Sequence, residues 1–299
     1  MNIAITGASG FIGRRLVRQF IADGHAVHLL LRRLKAGQEP GIPYSIWDTV
    51  QSEPPLEALS SADAVIHLAG EPISQIWTAS AKQRISQSRA EGTERLVSAL
   101  SRLSHRPQVL ICASAVGYYG SRGDEILSEA SAPGQGFLSD VCVAWEERAM
   151  SAEALGIRVV RLRTGVVLGG EGGALPRMLP QLRWFAPGRL GSGKQWMSWI
   201  HAEDLVHLIL HCIGSAELRG AVNATSPNPV TNTEFQKTIA IVRRVPFLFP
   251  VPAFAVRALL GEMSSIVLEG QRVMPKAALD DGFVFRFPDL DPALRNLLA

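Results

Sequence analysis

A doubly wound, mostly parallel α/β sheet backed by a smaller mixed lobe is the fold class that this 299-residue chain predicts. Three observations carry it. MNIAITGASGFIG runs an apolar, β-branched strand, Asn2 to Thr6, through a glycine-rich turn into a helix with Phe11, Ile12, Leu16, Val17, Phe20 and Ile21 at helical spacing. Strand-like and helical stretches then alternate from residue 2 to residue 168, the pattern of right-handed crossovers in a parallel sheet. From Gly169 onward the pattern loosens into Gly- and Pro-rich loops with short helices. A domain of residues 1–168 and a lobe of residues 169–299 with a C-terminal tail segment are therefore expected, packed as one body.

The opening turn has the chemistry of a phosphate site. Gly7 allows the tight bend, Gly10 lets the backbone approach a pyrophosphate, and Gly13 lets the helix lie close on the strand. Free N–H groups and the positive helix end would face the anion, and Ser9 adds a hydroxyl donor. About 20 residues on, where a ribose-recognising side chain belongs, the second apolar run, Ala26 to Leu31, ends in Arg32 and Arg33. Arginine suits a 2′-phosphate, so NADP is expected as the cofactor in preference to NAD.

The remaining elements follow in order. The first helix should end at Gly24, a left-handed cap, and residues 34–43 have loop composition. A short strand is expected around Tyr44 to Trp47 and a short helix over Leu56 to Ser60. Asp48 between them reads either as an adenine partner or as an exposed loop aspartate. AVIHLAG is an apolar strand whose end, Leu68, Ala69 and Gly70, lies where ligands sit in open α/β sheets. His67 within it reads as a strand histidine. A long helix falls between Ile76 and Leu103, and the strand Val109 to Ala113 delivers Ser114, Tyr118 and Tyr119 to the same sheet edge. That hydroxyl cluster is a site candidate, with two packing tyrosines as the alternative. Phe137 to Leu155 is helical, closed by Gly156, and Ile157 to Leu162 is a further strand.

Composition narrows the function classes. The chain is 47% hydrophobic with formal charge +3, and its Lys and Arg are scattered among Asp and Glu, so nothing resembles a nucleic-acid arm. Three cysteines, Cys112, Cys142 and Cys212, have neither metal-ligand nor disulfide-framework spacing, which predicts no metal and a reducing compartment. No export signal and no membrane-spanning apolar run are visible, so a cytoplasmic protein is expected. The partners expected are a dinucleotide, an unidentified small molecule and, at most, a second copy of the chain.

Taken together, these residues resemble the extended short-chain dehydrogenase/reductase family, in its nucleotide-sugar epimerase-like group, over nearly the whole chain. TGASGFIG is similar to that family's cofactor turn, which adds Phe11 and Ile12 to the set. HLAG is similar to its fourth-strand end, SAVGYYG to its catalytic-serine strand, and SWIHAEDL and GAVNATSPNPVT to its substrate-lobe signatures. The closing stretch LEGQRVMPKAALDDGFVFRFPDL resembles the tail of an atypical, epimerase-like branch. The resemblance implies a Rossmann sheet and places Arg32, Leu68, Ala69, Arg89 and Val167 near NADP, with Arg84 beside them. It also implies a serine, a tyrosine acid/base and a lysine four residues after that tyrosine. Here the pair is missing. The residues four positions after the three tyrosines are Asp48, Arg122 and Gly123, and the equivalent helix carries Leu138 and Cys142 instead. Ser114, with Tyr118 or Tyr119 as substitute acid, is the remaining catalytic set. Two functions stay open: an NADP-dependent oxidoreductase or epimerase with a substituted acid/base, or an NADP-binding sensor with little turnover. His201, beside an apolar run, reads as structural.

Overall fold

The computed structural model describes residues 1–34, 41–176, 178, 187–247 and 250–298. The loop expected at 34–43 lies largely outside the described residues.

Strands β1 (Asn2–Thr6), β2 (Ala26–Leu31), β3 (Tyr44–Ile46), β4 (Ala64–His67) and β5 (Val109–Ala115) follow the predicted order, β5 extending to Ala115. With β7 (Arg158–Thr164) and β11 (Gly220–Ala224) they form a seven-stranded sheet in the order β11-β7-β5-β4-β1-β2-β3. Every pairing is parallel. Strand β1 lies between β2 and β4, so the winding reverses there and a crevice opens at the carboxyl ends of these strands. Four of the five residues of β1 and all of β4 are buried, as central parallel strands covered on both faces must be.

Helices cover the two faces. Helix α1 (Phe11–Ala22) buries Leu16, Val17 and Phe20 and gives way at Gly24, whose φ of +77° makes the left-handed stop. On the opposite face lie α2 (Leu56–Leu59), α3 (Ala79–Ser101) and α4 (Phe137–Met150), packing Leu96, Leu100, Trp145 and Ala149 over Val65, Leu110 and Val159. Beyond α4 a 3-10 turn over Ser151–Leu155 ends at Gly156 with φ +79°.

The sheet does not stop at residue 168. Its outer strand β11 comes from the segment assigned to the second lobe, and α5 (Ala202–Gly214) packs Leu205, Leu208 and Ile209 into the α1 face. The stretch GAVNA hides this strand from periodicity, because Asn223 interrupts the apolar run. That asparagine is fully buried, accepting from the Tyr119 hydroxyl and donating to the Met274 carbonyl.

Three two-stranded ribbons stitch the rest together: β8 (Val166–Leu168) with β10 (Trp199–His201), β9 (Trp196–Met197) with β12 (Val230–Thr231), and β6 (Ile126–Leu127) with β13 (Arg272–Val273). Helix α6 (Asn232–Arg243) starts in a capping box between Thr231 and Glu234. The tail, α7 (Ala253–Leu260), α8 (Ser265–Leu268), α9 (Lys276–Asp280) and α10 (Leu290–Leu298), runs back over the sheet. Its Phe283 and Phe285 join the core of β1 and α1. Asp204 fastens it, its two carboxylate oxygens accepting the N–H groups of Arg286 and Phe287 at 2.8 and 2.9 Å. No helix among the described residues is long and apolar enough to cross a membrane.

Candidate functional site

Two cavities open along the carboxyl edge of the sheet. The first, about 480 Å³, lies at the β1/β4 reversal and is lined by Gly7, Ser9, Gly10, Arg32 and the Leu68–Gly70 backbone, among others. Gly7 has φ +68°, and a Cβ there would stand 2.8 Å from the Leu68 carbonyl carbon. A Cβ on Gly13 would stand 2.3 Å from the Gly7 oxygen, so only glycine lets α1 start this close to the turn. The helix begins at Gly10 with no side-chain cap and no acidic residue in its first turn. Its first N–H groups therefore lack the side-chain acceptor that usually satisfies them.

One hydroxyl braces the opposite wall. Thr6 Oγ1 accepts the N–H groups of Leu68 and Ala69, each at 3.1 Å, and lies 2.8 Å from His67 Nδ1. With its lone pairs so occupied, the threonine donates its proton to Nδ1, and the imidazole carries its own proton on Nε2. His67 is fully buried, and burial pushes its pKa down to about 4. Trp47 to Gln51 also wall this cavity. Asp48 Oδ1 accepts from the Val50 and Gln51 N–H groups, so it shapes its own turn. Helix α3 holds this loop through Gly92, where a Cβ would meet Thr49 at 2.8 Å, and through Arg95, which donates to the Thr49 carbonyl.

Arg32 is exposed at the cavity edge, 3.4 Å from Glu71, and Arg84 reaches the same carboxylate at 3.6 Å. Arg89 is more deeply set: it donates to the carbonyls of Glu71 and Ile85 and lies 4.9 Å above the Trp145 ring. Burial lowers its pKa, against the opposing pull of Cys142 and Glu71. A Cβ on Gly70 would sit 3.2 Å from its guanidinium carbon. Phe11, Ile12 and Val167 stand outside the lining of both cavities. The Phe11 ring fills the space that Gly169 and Gly172 leave, whereas Ile12 and Val167 pack on the sheet core.

The second cavity, about 560 Å³, is lined by Ser114, Arg89, Leu138 and Cys142 together with Trp77 and Phe137, among others. Ser114 donates its proton to Glu146 Oε1 at 2.7 Å. Glu146 is itself only 3% exposed and is held by Arg163 through two bonds of 2.8 Å and by Arg161 at 3.1 Å. Such a fork of charge-assisted bonds fixes the carboxylate and, through it, the serine rotamer.

The two tyrosines are placed otherwise than the acid/base expectation requires, for neither lines either of these two cavities. Tyr119 is fully buried, its hydroxyl accepting from Arg163 at 2.9 Å and donating to Asn223 at 2.7 Å. Burial pushes its pKa up to about 12. Both faces of that hydroxyl are used, so it has no proton to give a ligand. Tyr118 stacks under the Arg163 guanidinium, 3.4 Å from ring centroid to carbon. Cys142, where the family's lysine would stand, is a buried thiol raised to about 11, by burial first and by Glu146 second.

Sequence reasoning passed over Glu146, Arg161 and Arg163. The available signal was RVVRLRT, a central strand with three arginines, because buried cations require partners. His201 is structural, as expected: Nδ1 accepts from the Glu203 N–H, Nε2 faces Asn296 at 3.2 Å, and burial lowers its pKa.

Comparison with known proteins agrees with this fold. The model of the NAD dependent epimerase/dehydratase family matches residues 3–224, and that of a domain of unknown function, DUF1731, matches residues 251–297. The chloroplastic epimerase family protein SDR39U1 homolog of Arabidopsis thaliana is 41% identical, covering 100% of this chain and 87% of its own. Epimerase family protein YfhF of Bacillus subtilis is 40% identical, covering 100% and 98%. Human epimerase family protein SDR39U1, crystallised with NADPH, superposes with a TM-score of 0.88 at 31% identity over 99% of each chain. UDP-glucose 4-epimerase of Thermus thermophilus shares the fold at TM-score 0.77 and 18% identity, over 99% and 97%. The matched families, the relatives spanning the whole chain and the sheet with its glycine turn agree: the chain belongs to the NAD-dependent epimerase/dehydratase family, in the branch that carries the DUF1731 tail.

Proposed function

We propose that the protein is an NADP-binding oxidoreductase of the epimerase type, acting on a small molecule held in the second cavity without the usual tyrosine–lysine pair. The observation that carries this reading is the start of α1: an N-terminus with no side-chain cap, reached through Gly7 and Gly10, opening into a cavity edged by Arg32. A pyrophosphate supplies the acceptors that those N–H groups lack. Arg32, and Arg84 beside it, suit the 2′-phosphate, Leu68, Ala69 and Gly70 the ribose and pyrophosphate side, and Arg89 the part of the dinucleotide nearest the second cavity. Human SDR39U1, the relative crystallised with NADPH, supports the choice of dinucleotide.

When bound, the dinucleotide supplies hydride transfer. The chain's own residues would orient the ligand and move protons, and here the arrangement is unusual. Ser114 gives its proton to a carboxylate that two arginines already neutralise, so the serine orients a ligand and does not act as its acid. Positioned acid/base catalysis is worth typically 10² to 10⁴ in rate, and little epimerisation of ordinary nucleotide-sugars is expected without it. The alternative of a ligand-state sensor has no contact of its own in its favour.

Titration calorimetry with NADP and NAD tests the reading. Wild type should prefer NADP, and Arg32→Ala should weaken NADP by about 1.5 to 3 kcal/mol with NAD nearly unchanged. Equal affinity for the two dinucleotides removes Arg32 from the role.

A further inference from the structure

The second cavity differs in charge and hydrogen-bonding sense from a site built for a nucleoside diphosphate. Its body is apolar, walled by Trp77, Phe137, Leu138 and Val141. Among the described residues, Arg89 is the sole cation in the lining, and one of its nitrogens is already committed to two backbone carbonyls. Lys82, close by over the Phe137 ring, is ion-paired to Glu262 at the rim. A second carboxylate, Glu269, lines the same rim. Arg161 and Arg163, the cations next inward, are both bound to Glu146. The start of α4 also faces the cavity, but Asp140 stands in its first turn. Among the described residues, a diphosphate placed here would find few open cationic donors and the carboxylate of Glu269 at the entrance, the reverse of what phosphate recognition requires.

Ser114 adds the second constraint. Its only proton is directed at Glu146, so it offers a ligand lone pairs and no donor. A ligand carbonyl set against it would bring two acceptors together. A ligand hydroxyl would complete the chain of donors, from ligand to Ser114 to Glu146.

We propose that the second cavity takes an uncharged alcohol with an apolar body, its hydroxyl donating to Ser114, and that it does not take nucleoside-diphosphate sugars. This rests on the reading of the first cavity as the dinucleotide's seat and names the class of molecule placed beside it.

The test uses the full chain with NADP present and three probes followed by ligand-observed NMR titration: benzyl alcohol, benzaldehyde and UDP-glucose. Benzyl alcohol should saturate in the millimolar range, as its size permits, and bind about tenfold more tightly than benzaldehyde. UDP-glucose should neither saturate nor displace it. Ser114→Ala should erase the preference for the alcohol over the aldehyde; where that variant does not fold, the wild-type comparison decides. Saturable binding of UDP-glucose, a preference for the aldehyde, or no binding of benzyl alcohol overturns the proposal. Absence of NADP binding in calorimetry overturns the dinucleotide reading instead, and the three-probe comparison is then made on the unliganded chain.

Discussion

The hydroxyl of Thr6 holds two strand ends and a histidine tautomer at once, and His67 makes that arrangement sensitive to acid. Its folded-state pKa, about 4, lies below the ordinary 6.5, so its titration adds no pH-dependent cost above pH 6.5. As the pH falls from 6.5 toward 4 the unfolded chain takes up a proton that the folded one refuses, and stability falls by up to roughly 3 kcal/mol. Urea midpoints at pH 7 and pH 4.5 in wild type and His67→Asn should differ less in the variant; an equal loss in both would assign the acid sensitivity elsewhere. Tyr119→Phe belongs to the same scale. Its removal leaves Arg163 and Asn223 each short of one buried partner, so a loss of about 1 to 3 kcal/mol in stability is expected, with NADP affinity unchanged. A variant of normal stability that no longer binds NADP would return Tyr119 to the site.

At the scale of elements, Asp204 determines whether the tail stays docked. Its carboxylate is 1% exposed and satisfies two backbone N–H groups of the tail, so Asp204→Ala should cost at least about 2 kcal/mol and open the 283–287 segment to protease. Limited proteolysis with mass-spectrometric mapping reads this directly, and a cleavage pattern like that of wild type would deny Asp204 the anchoring role. The elements that the sequence announced are those with one-dimensional signals. The β1 run, the glycine turn, the α1 face and the stop at Gly24 depend on neighbours in the chain. Strand β11 was missed because Asn223 is compatible with burial only through Tyr119 and Met274, residues far away in sequence. Glu146 was missed for the same reason, reading as one more charge on a helix until the arginines of β7 are brought beside it. Ser114 is visible as a candidate, but the direction of its proton is not, since that depends on Glu146.

For the molecule as a whole, dinucleotide binding and stability are linked. NADP at a hundred times its dissociation constant should raise the unfolding free energy by about 2.7 kcal/mol, seen as a thermal-melt shift of several degrees that NAD does not match at equal concentration. Matching shifts would argue against the role given to Arg32. The placement of Phe283 and Phe285 among Ile3, Ile5, Leu16 and Phe20 also sets a timetable for biosynthesis. The first strand and helix are translated long before the side chains that close over them. At ordinary elongation rates that interval is on the order of ten seconds or more, during which a nearly finished nucleotide-binding half carries an open apolar face. Nascent chains arrested before residue 283 should therefore be held by chaperones, and release should come only as the segment carrying Phe283 and Phe285 emerges and seats itself.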